Sequence, residues 1–373
     1  YETVNSILPG YTHNPYALDR VTAGSSGGTA AAVADNEGAV GLGTDTGNSI
    51  RGPSAHQALV GIRSTMGLTS RAGVVPLANS ADIAGPMART VADAVKVFNV
   101  VVGADPDDPA TRDADVRRER DYNAFVKPGA LRGARIGVLR QAYDRPTTDR
   151  EVVRVFTAAL SAMRQAGATI VDSAGVDSLS ALLRTTGGGC NPFTYDLERY
   201  LAARGANAPV HTVDDVLKSG SYHPLAQARL QAAQAVTTPP ESSPGCASRE
   251  AMRGRLRAAV TALMDSLHLD ALVYPTWSNP PRRIGDLNTP HGDNSQLFSP
   301  LTGFPAITVP MGYTRGVLPA GVTFFGRAWS EGTLIALAYD YERATHHRRP
   351  PTHQPSASPD ADAELGTASA ARP

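Results

Sequence analysis

Hydrophobic positions along the chain fall into short runs separated by glycine- and proline-rich turns, and only a few stretches have helical spacing. Ala39–Gly43 (AVGLG), Arg135–Leu139 (RIGVL), Ala168–Val171, Ala271–Tyr274 (ALVY), Ala306–Val309 (AITV) and Gly321–Phe325 (GVTFF) are apolar and bounded by turn residues, the pattern of buried strands. Val91, Val95 and Phe98 share one helical face behind Thr90, which is placed as an N-cap with Asp93 three positions on. Thr148–Gly167 has amphipathic spacing, and a further helix is predicted from Ser330 to about Ala344. Thr29–Asp35 is a short Ala-rich helix opening out of Gly27-Gly28, and Ser54–Val60 predicts another. From 176 to 265 the pattern is mostly helical, broken at Gly187-Gly188-Gly189 and at Thr238–Gly245. The strand–helix–strand succession over 135–171 predicts a parallel or mixed sheet covered by helices, an α/β fold.

Composition narrows the class without naming a function. The 373 residues are 42% hydrophobic and 19% charged, which suits a chain with a large buried core. The formal net charge is zero, so there is no electrostatic footprint for nucleic acid, and no run of eighteen apolar residues predicts a membrane span. Cys190 and Cys246 have no metal-ligand spacing and are either a disulfide or two thiols. No histidine pair has metal-ligand spacing either, so neither a metal nor a cofactor is expected. Residues 1–23 have turn chemistry (Pro9-Gly10, Asn14-Pro15) and read as an ordered surface loop, whereas Ala104–Arg120 reads as a solvated connection. From His346 onward the composition is that of a disordered tail, leaving 1–345 as one domain. The opening YETVNSILPG lacks an initiator Met and reads as the middle of something, so an N-terminal piece, with any targeting signal, is expected to be missing. A cytoplasmic location is the default, with secretion left open.

Two glycine turns carry the candidate chemistry. Gly24-Ser25-Ser26-Gly27-Gly28 formally matches G-x-S-x-G, but no strand precedes it as a nucleophile elbow requires, and a phosphate cradle would need a Lys-Ser/Thr pair that is absent. In Gly43-Thr44-Asp45-Thr46-Gly47-Asn48-Ser49-Ile50-Arg51 a strand ends and a row of backbone N–H groups converges beside the Ser49 hydroxyl. A serine beside convergent amides is what acyl transfer needs, a nucleophile and oxyanion donors on one turn. The plainer alternative makes Ser49 a helix N-cap and the glycines a tight turn. His56 stands near enough in sequence to suggest a Ser-His-Asp arrangement, although a polar helix residue explains it as well.

The two turns together resemble the amidase signature family, whose pattern is a GSSGG turn followed by G-T-D-x-G-G-S-I-R. The likeness runs on through Gly61-Ile62-Arg63, Gly67–Arg71 and Gly85–Asp93, and returns in Asp270–Thr276, Gly303–Gly312 and Leu318–Leu334. That resemblance implies the amidase signature fold, a mixed, mostly parallel twisted sheet with helices on both faces, in a single domain lacking its N-terminal part. It makes Ser49 the nucleophile and Ser25 the bridging serine after a cis peptide bond. It makes the backbone amides of Thr46, Gly47, Asn48 and Ser49 the oxyanion hole, with Ser26, Asp45 and Arg51 in support. The implied reaction is hydrolysis of a small carboxamide through an acyl-enzyme, without nucleic-acid or membrane partners, a homodimer being open. The helical stretch 176–265, with Asn191, Tyr195 and Tyr222, falls where such enzymes build a substrate wall. Two departures stand out: Asn48 replaces a glycine, and the family's catalytic lysine has no counterpart between Tyr1 and Gly24. The remaining lysines, Lys96, Lys127 and Lys218, lie outside the motifs. A truncated enzyme, an inactive binding protein on this scaffold and an amidotransferase component of the same fold are the readings this leaves.

Overall fold

The computed structural model describes residues 4–353 apart from 7, 9 and 185–188. The chain enters through a short helix, α1 (Gly27–Ala34), then strand β1 (Val40–Thr44), helix α2 (Arg51–His56), and strands β2 (Val60–Arg63) and β3 (Ala84–Ala88). Helix α3 (Val91–Val101) follows, then β4 (Arg135–Val138), α4 (Arg150–Gln165) and β5 (Thr169–Val171). The helical middle holds α5 (Phe193–Arg204), α6 (Val213–Ser219), α7 (Gln227–Gln234) and α8 (Pro244–Ser266). Strands β6 (Ala271–Pro275), β7 (Ala306–Thr314) and β8 (Leu318–Phe325) precede the last helix, α9 (Glu331–Thr345).

The eight strands form one sheet in the order β1-β3-β2-β7-β8-β6-β4-β5. It is mixed, as expected, but not mostly parallel: β4 pairs in parallel with β5 and β6, and the other five pairings are antiparallel. Helices cross from β4 to β5 and again before β6, as parallel neighbours need, whereas β7 and β8 are joined by a tight turn that forces the opposite direction. Val152, Val155, Phe156, Ala159, Leu160 and Met163 form the buried face of α4, and the Asp149 carboxylate caps the helix by accepting the N–H groups of Glu151 and Val152. Thr90 caps α3 through Asp93 N–H as its sequence predicts.

The helix predicted over Ser54–Val60 ends at His56, and Val60 and Ile62 instead lie fully buried in a central strand. Sheet pairing on both sides of β2 overrides the local pattern there. Strand β3 contains Gly85 and Pro86 and carries no strand pattern of its own. Pro86 is tolerated because it stands opposite Leu42 of β1, while β2 reaches only Met87 and Ala88.

Residues 346–353, read from composition as the start of a disordered tail, pack against the body instead. Tyr16 Oη donates to Arg349 O (2.5 Å), the Arg349 guanidinium lies 3.8 Å from the centre of the Tyr313 ring, and Arg348 donates to Ala34 O. The remainder of that tail, and the Gly187-Gly188 part of the helix break, lie outside the described residues. In the helical middle, Cys190 and Cys246 form a disulfide, and Leu197, Leu201, Ala208 and Val213 make a small cluster apart from the main core. The second half of α8 returns to that core through Leu256, Val260 and Met264.

Candidate active site

Strand β1 delivers the chain into a turn organised around a buried carboxylate. Asp45 Oδ2 accepts the N–H groups of Ile50 (3.2 Å) and Arg51 (3.3 Å) and the Arg51 Nε (3.1 Å). Its Oδ1 takes a second Arg51 nitrogen (3.2 Å) and one from Arg63 (3.1 Å). Arg51 also donates to Gly47 O (2.7 Å) and Ser295 O (2.8 Å), and Arg63 to Ala81 O (2.9 Å), Ser299 Oγ (3.1 Å) and the Asp45 carbonyl. All three charged side chains are fully buried. Desolvation alone would raise the Asp45 pKa, but the two guanidinium groups hold it below its ordinary value. Desolvation pushes Arg63 down to about 10, against the pull of Asp45, so it stays charged at neutral pH. Two cations on one anion, each with its remaining donors on carbonyls or a hydroxyl, fix the backbone from 45 to 51.

Within that frame Ser49 is half-buried, and the N–H groups of Thr46, Gly47, Asn48 and Ser49 are taken by no acceptor among the described residues. The Thr46 hydroxyl is anchored on Asp82 Oδ1 (2.5 Å), and Asp82 in turn accepts the N–H groups of Leu77 and Ala78. The Ser49 hydroxyl donates to Asn48 Oδ1 at 3.4 Å. Gln296 covers the turn from the other side: a Cβ on Gly47 would lie 3.4 Å from its Oε1, and its Nε2 is held by Asp293 at 2.6 Å.

The two glycine turns meet as the sequence predicts. Ser26 N–H donates to Ser49 O (3.3 Å), and Ser26 Oγ both accepts Thr44 N–H (3.1 Å) and donates to Thr44 O (3.2 Å). This clamp requires glycine at 43, where a Cβ would stand 2.8 Å from Ser26 Oγ. The Gly24–Ser25 peptide bond is cis, and Ser25, one residue before the clamp, is exposed. The Ser26 clamp thus brings the turn that carries Ser25 against the turn that carries Ser49.

His56 does not join this group. It is buried at the end of α2, stacked 4.5 Å from the Trp277 ring, makes no hydrogen bond to Ser49, and is pushed down to about 3 by burial, so it is neutral at working pH. Lys96 and Lys218 form surface pairs with Asp93 and Asp214, and Lys127 is exposed. Sequence reasoning missed Arg63, Asp82 and Gln296. The position of Arg63 inside a motif was a signal for it; the other two reach the turn only through the fold. Among the described residues no cluster of His, Cys, Asp or Glu is arranged to hold a metal.

A family model described as Amidase matches residues 1–335, and the chain belongs to the amidase signature family. It is 31% identical to a probable amidase of Arabidopsis thaliana over 91% of this chain and 63% of that protein. It is 33% identical to a component of the glutamyl-tRNA(Gln) amidotransferase of Myxococcus xanthus, over 89% of this chain and 69% of that one. Among solved structures, native peptide amidase from Stenotrophomonas maltophilia superposes with a TM-score of 0.78 at 34% identity, over 92% of this chain and 70% of that one. The chain thus spans roughly two thirds of the length of these relatives.

Proposed function

We infer that the complete protein hydrolyses a carboxamide through an acyl-enzyme on Ser49. One observation carries the reading: a half-buried serine stands beside four unclaimed backbone N–H groups, on a turn locked by the Asp45–Arg51–Arg63 network. Ser49 Oγ attacks the substrate carbonyl while its proton passes toward Ser25. The carbonyl oxygen becomes an oxyanion received by the N–H groups of Thr46–Ser49. The C–N bond then breaks, the amine or ammonia leaves with a proton, and water releases the acid. Removing one oxyanion donor from such sites costs about 2.7–4 kcal/mol of transition-state stabilisation. Positions 1–24 supply no lysine, so the base that finally takes the proton is not assigned to any residue of this sequence. Peptide amidase is one relative whose name points to a substrate, and it supports an amide on a small or peptidic acyl group.

The similarity to amidotransferase components supports a second reading, in which the same site supplies ammonia to a partner enzyme. A fluorophosphonate probe on the full-length protein tests the nucleophile. Labelling at Ser49 that vanishes in Ser49→Ala supports the enzyme, and an unlabelled folded protein supports a binding protein instead. Ser25→Ala is expected to cut turnover severely with the fold intact. Co-purification of a stable partner chain, with glutamine as the preferred amide, favours the amidotransferase reading.

A further inference from the structure

The Asn48 side chain takes no part in the buried network around Asp45. The pattern this turn resembles has glycine there, so a side chain is not needed for the backbone path. Here it reaches the nucleophile: Ser49 Oγ–H donates to Asn48 Oδ1 at 3.4 Å, the hydrogen bond this hydroxyl makes among the described residues. At that length the contact orients more than it binds. The carboxamide is confined on its other side. Asn48 O accepts Gly52 N–H at 2.6 Å, placing the two residues one turn apart. A Cβ on Gly52 would lie 3.2 Å from Asn48 Nδ2 and 3.0 Å from Trp277 Cζ2. Trp277 is itself fixed, with Nε1 donating to Gly52 O at 3.1 Å and its ring stacked on His56. Glycine at 52 is thus what makes room for Asn48 and Trp277 together.

We propose that Asn48 is a positioning residue, whose Oδ1 holds the Ser49 hydroxyl in the rotamer from which Oγ attacks. This rests on Ser49 being the nucleophile. An amide oxygen is too weak a base to take the proton, so Asn48 fixes where Oγ stands while the O–H turns its hydrogen from Asn48 toward Ser25 as Oγ attacks. The substrate-free hydroxyl is kept on the oxyanion turn by Asn48 rather than left to rotate into solvent.

The test compares the full-length protein with Asn48→Gly and Asn48→Asp, each checked for an unchanged unfolding transition. Glycine removes the acceptor together with the side-chain packing beside Gly52 and Trp277, and the unfolding transition reads any cost of that loss. The rate of fluorophosphonate labelling and kcat on an accepted amide are expected to fall about tenfold, the effect of one oriented hydrogen bond, with KM nearly unchanged. Aspartate keeps an acceptor but sets a negative charge beside the forming oxyanion, so its labelling rate is expected to fall as pH rises and the new carboxylate ionises. A merely structural Asn48 would not give the kcat-only loss, whereas the Asn48→Asp pH profile reports only that the side chain at 48 faces the forming oxyanion. Asn48→Gly labelling at or above the wild-type rate, or an Asn48→Asp pH profile identical to wild type, overturns the proposal. A folded wild-type protein unlabelled at Ser49 overturns the nucleophile itself, and the proposal with it.

Discussion

The turn from Gly43 to Gly52 and the helical middle from 176 to 265 are held together by opposite means. The turn is fixed by charges that water never reaches, with Asp45, Arg51 and Arg63 fully buried and tied as far away as Ser295. The middle keeps its own small apolar cluster, a disulfide and exposed ion pairs such as Arg199–Glu241 and Lys218–Asp214. A buried charge network fails when any one member is lost, because the others stay desolvated without a partner. Exposed pairs and a local cluster lose only what is removed. The part that presents the candidate nucleophile therefore tolerates little change, and the part expected to face the substrate tolerates much.

Breaking the network is expected to have the largest effect. Asp45→Asn leaves two guanidinium groups buried against a neutral amide, at about 3–5 kcal/mol in chemical denaturation; a loss comparable to that of a surface pair would end the contrast. The same network sets a pH limit. The Asp45 pKa is depressed in the folded state, so its contribution is complete above the ordinary value of 3.8 and disappears as pH falls below that toward the folded value. Asp45→Asn should flatten the acid limb of an unfolding profile.

Replacing the disulfide by Cys190→Ser with Cys246→Ser opens a loop of sequence separation 56. Chain entropy for such a loop puts the upper bound at about 4 kcal/mol. Hydrogen exchange should rise across 190–246 while amides of the Gly43–Gly52 turn keep their protection. Equal loss in both regions would show that they unfold as one.

Arg253, on α8, ties the helical middle to the loops at 80 and 300–301, donating to Ser80 O (2.7 Å), Leu301 O (2.9 Å) and Pro300 O (3.3 Å). Arg253→Met should cost about 1–3 kcal/mol by leaving those carbonyls short of a donor, and a lowered kcat with normal KM would locate the effect on the turn. Lys218→Ala, which removes an exposed pair, should leave the melting temperature unchanged.

Much of this was legible in the sequence because it is local. The two glycine turns, the Thr90 cap and the amphipathic face of α4 all depend on residues a few positions apart. What was not legible depends on the sheet order. Val60 and Ile62 became strand only through neighbours β3 and β7, and the direction of β7 against β8 made the sheet mostly antiparallel. At the site, Asp45 and Arg51 are marked as supports by the family resemblance, whereas Asp82 and Gln296 come to the turn from other loops. His346–His353 looked disordered by composition because its contacts are aromatic rings supplied by Tyr16 and Tyr313.

The position of β7 and β8 in the middle of the sheet has a consequence for how the molecule is made. They stand between β2 and β6, although they are the last strands in sequence among the described residues. Arg51 and Arg63 find their carbonyl and hydroxyl partners 244 and 236 residues downstream, at Ser295 and Ser299. On the ribosome, the turn bearing Ser49 emerges early but has no floor until almost the whole chain has followed. Contacts this distant in sequence make folding slow, and they make the Gly43–Gly52 turn one of the last features to become ordered. A chain that has not yet reached Ser299 lacks the contacts that order this turn.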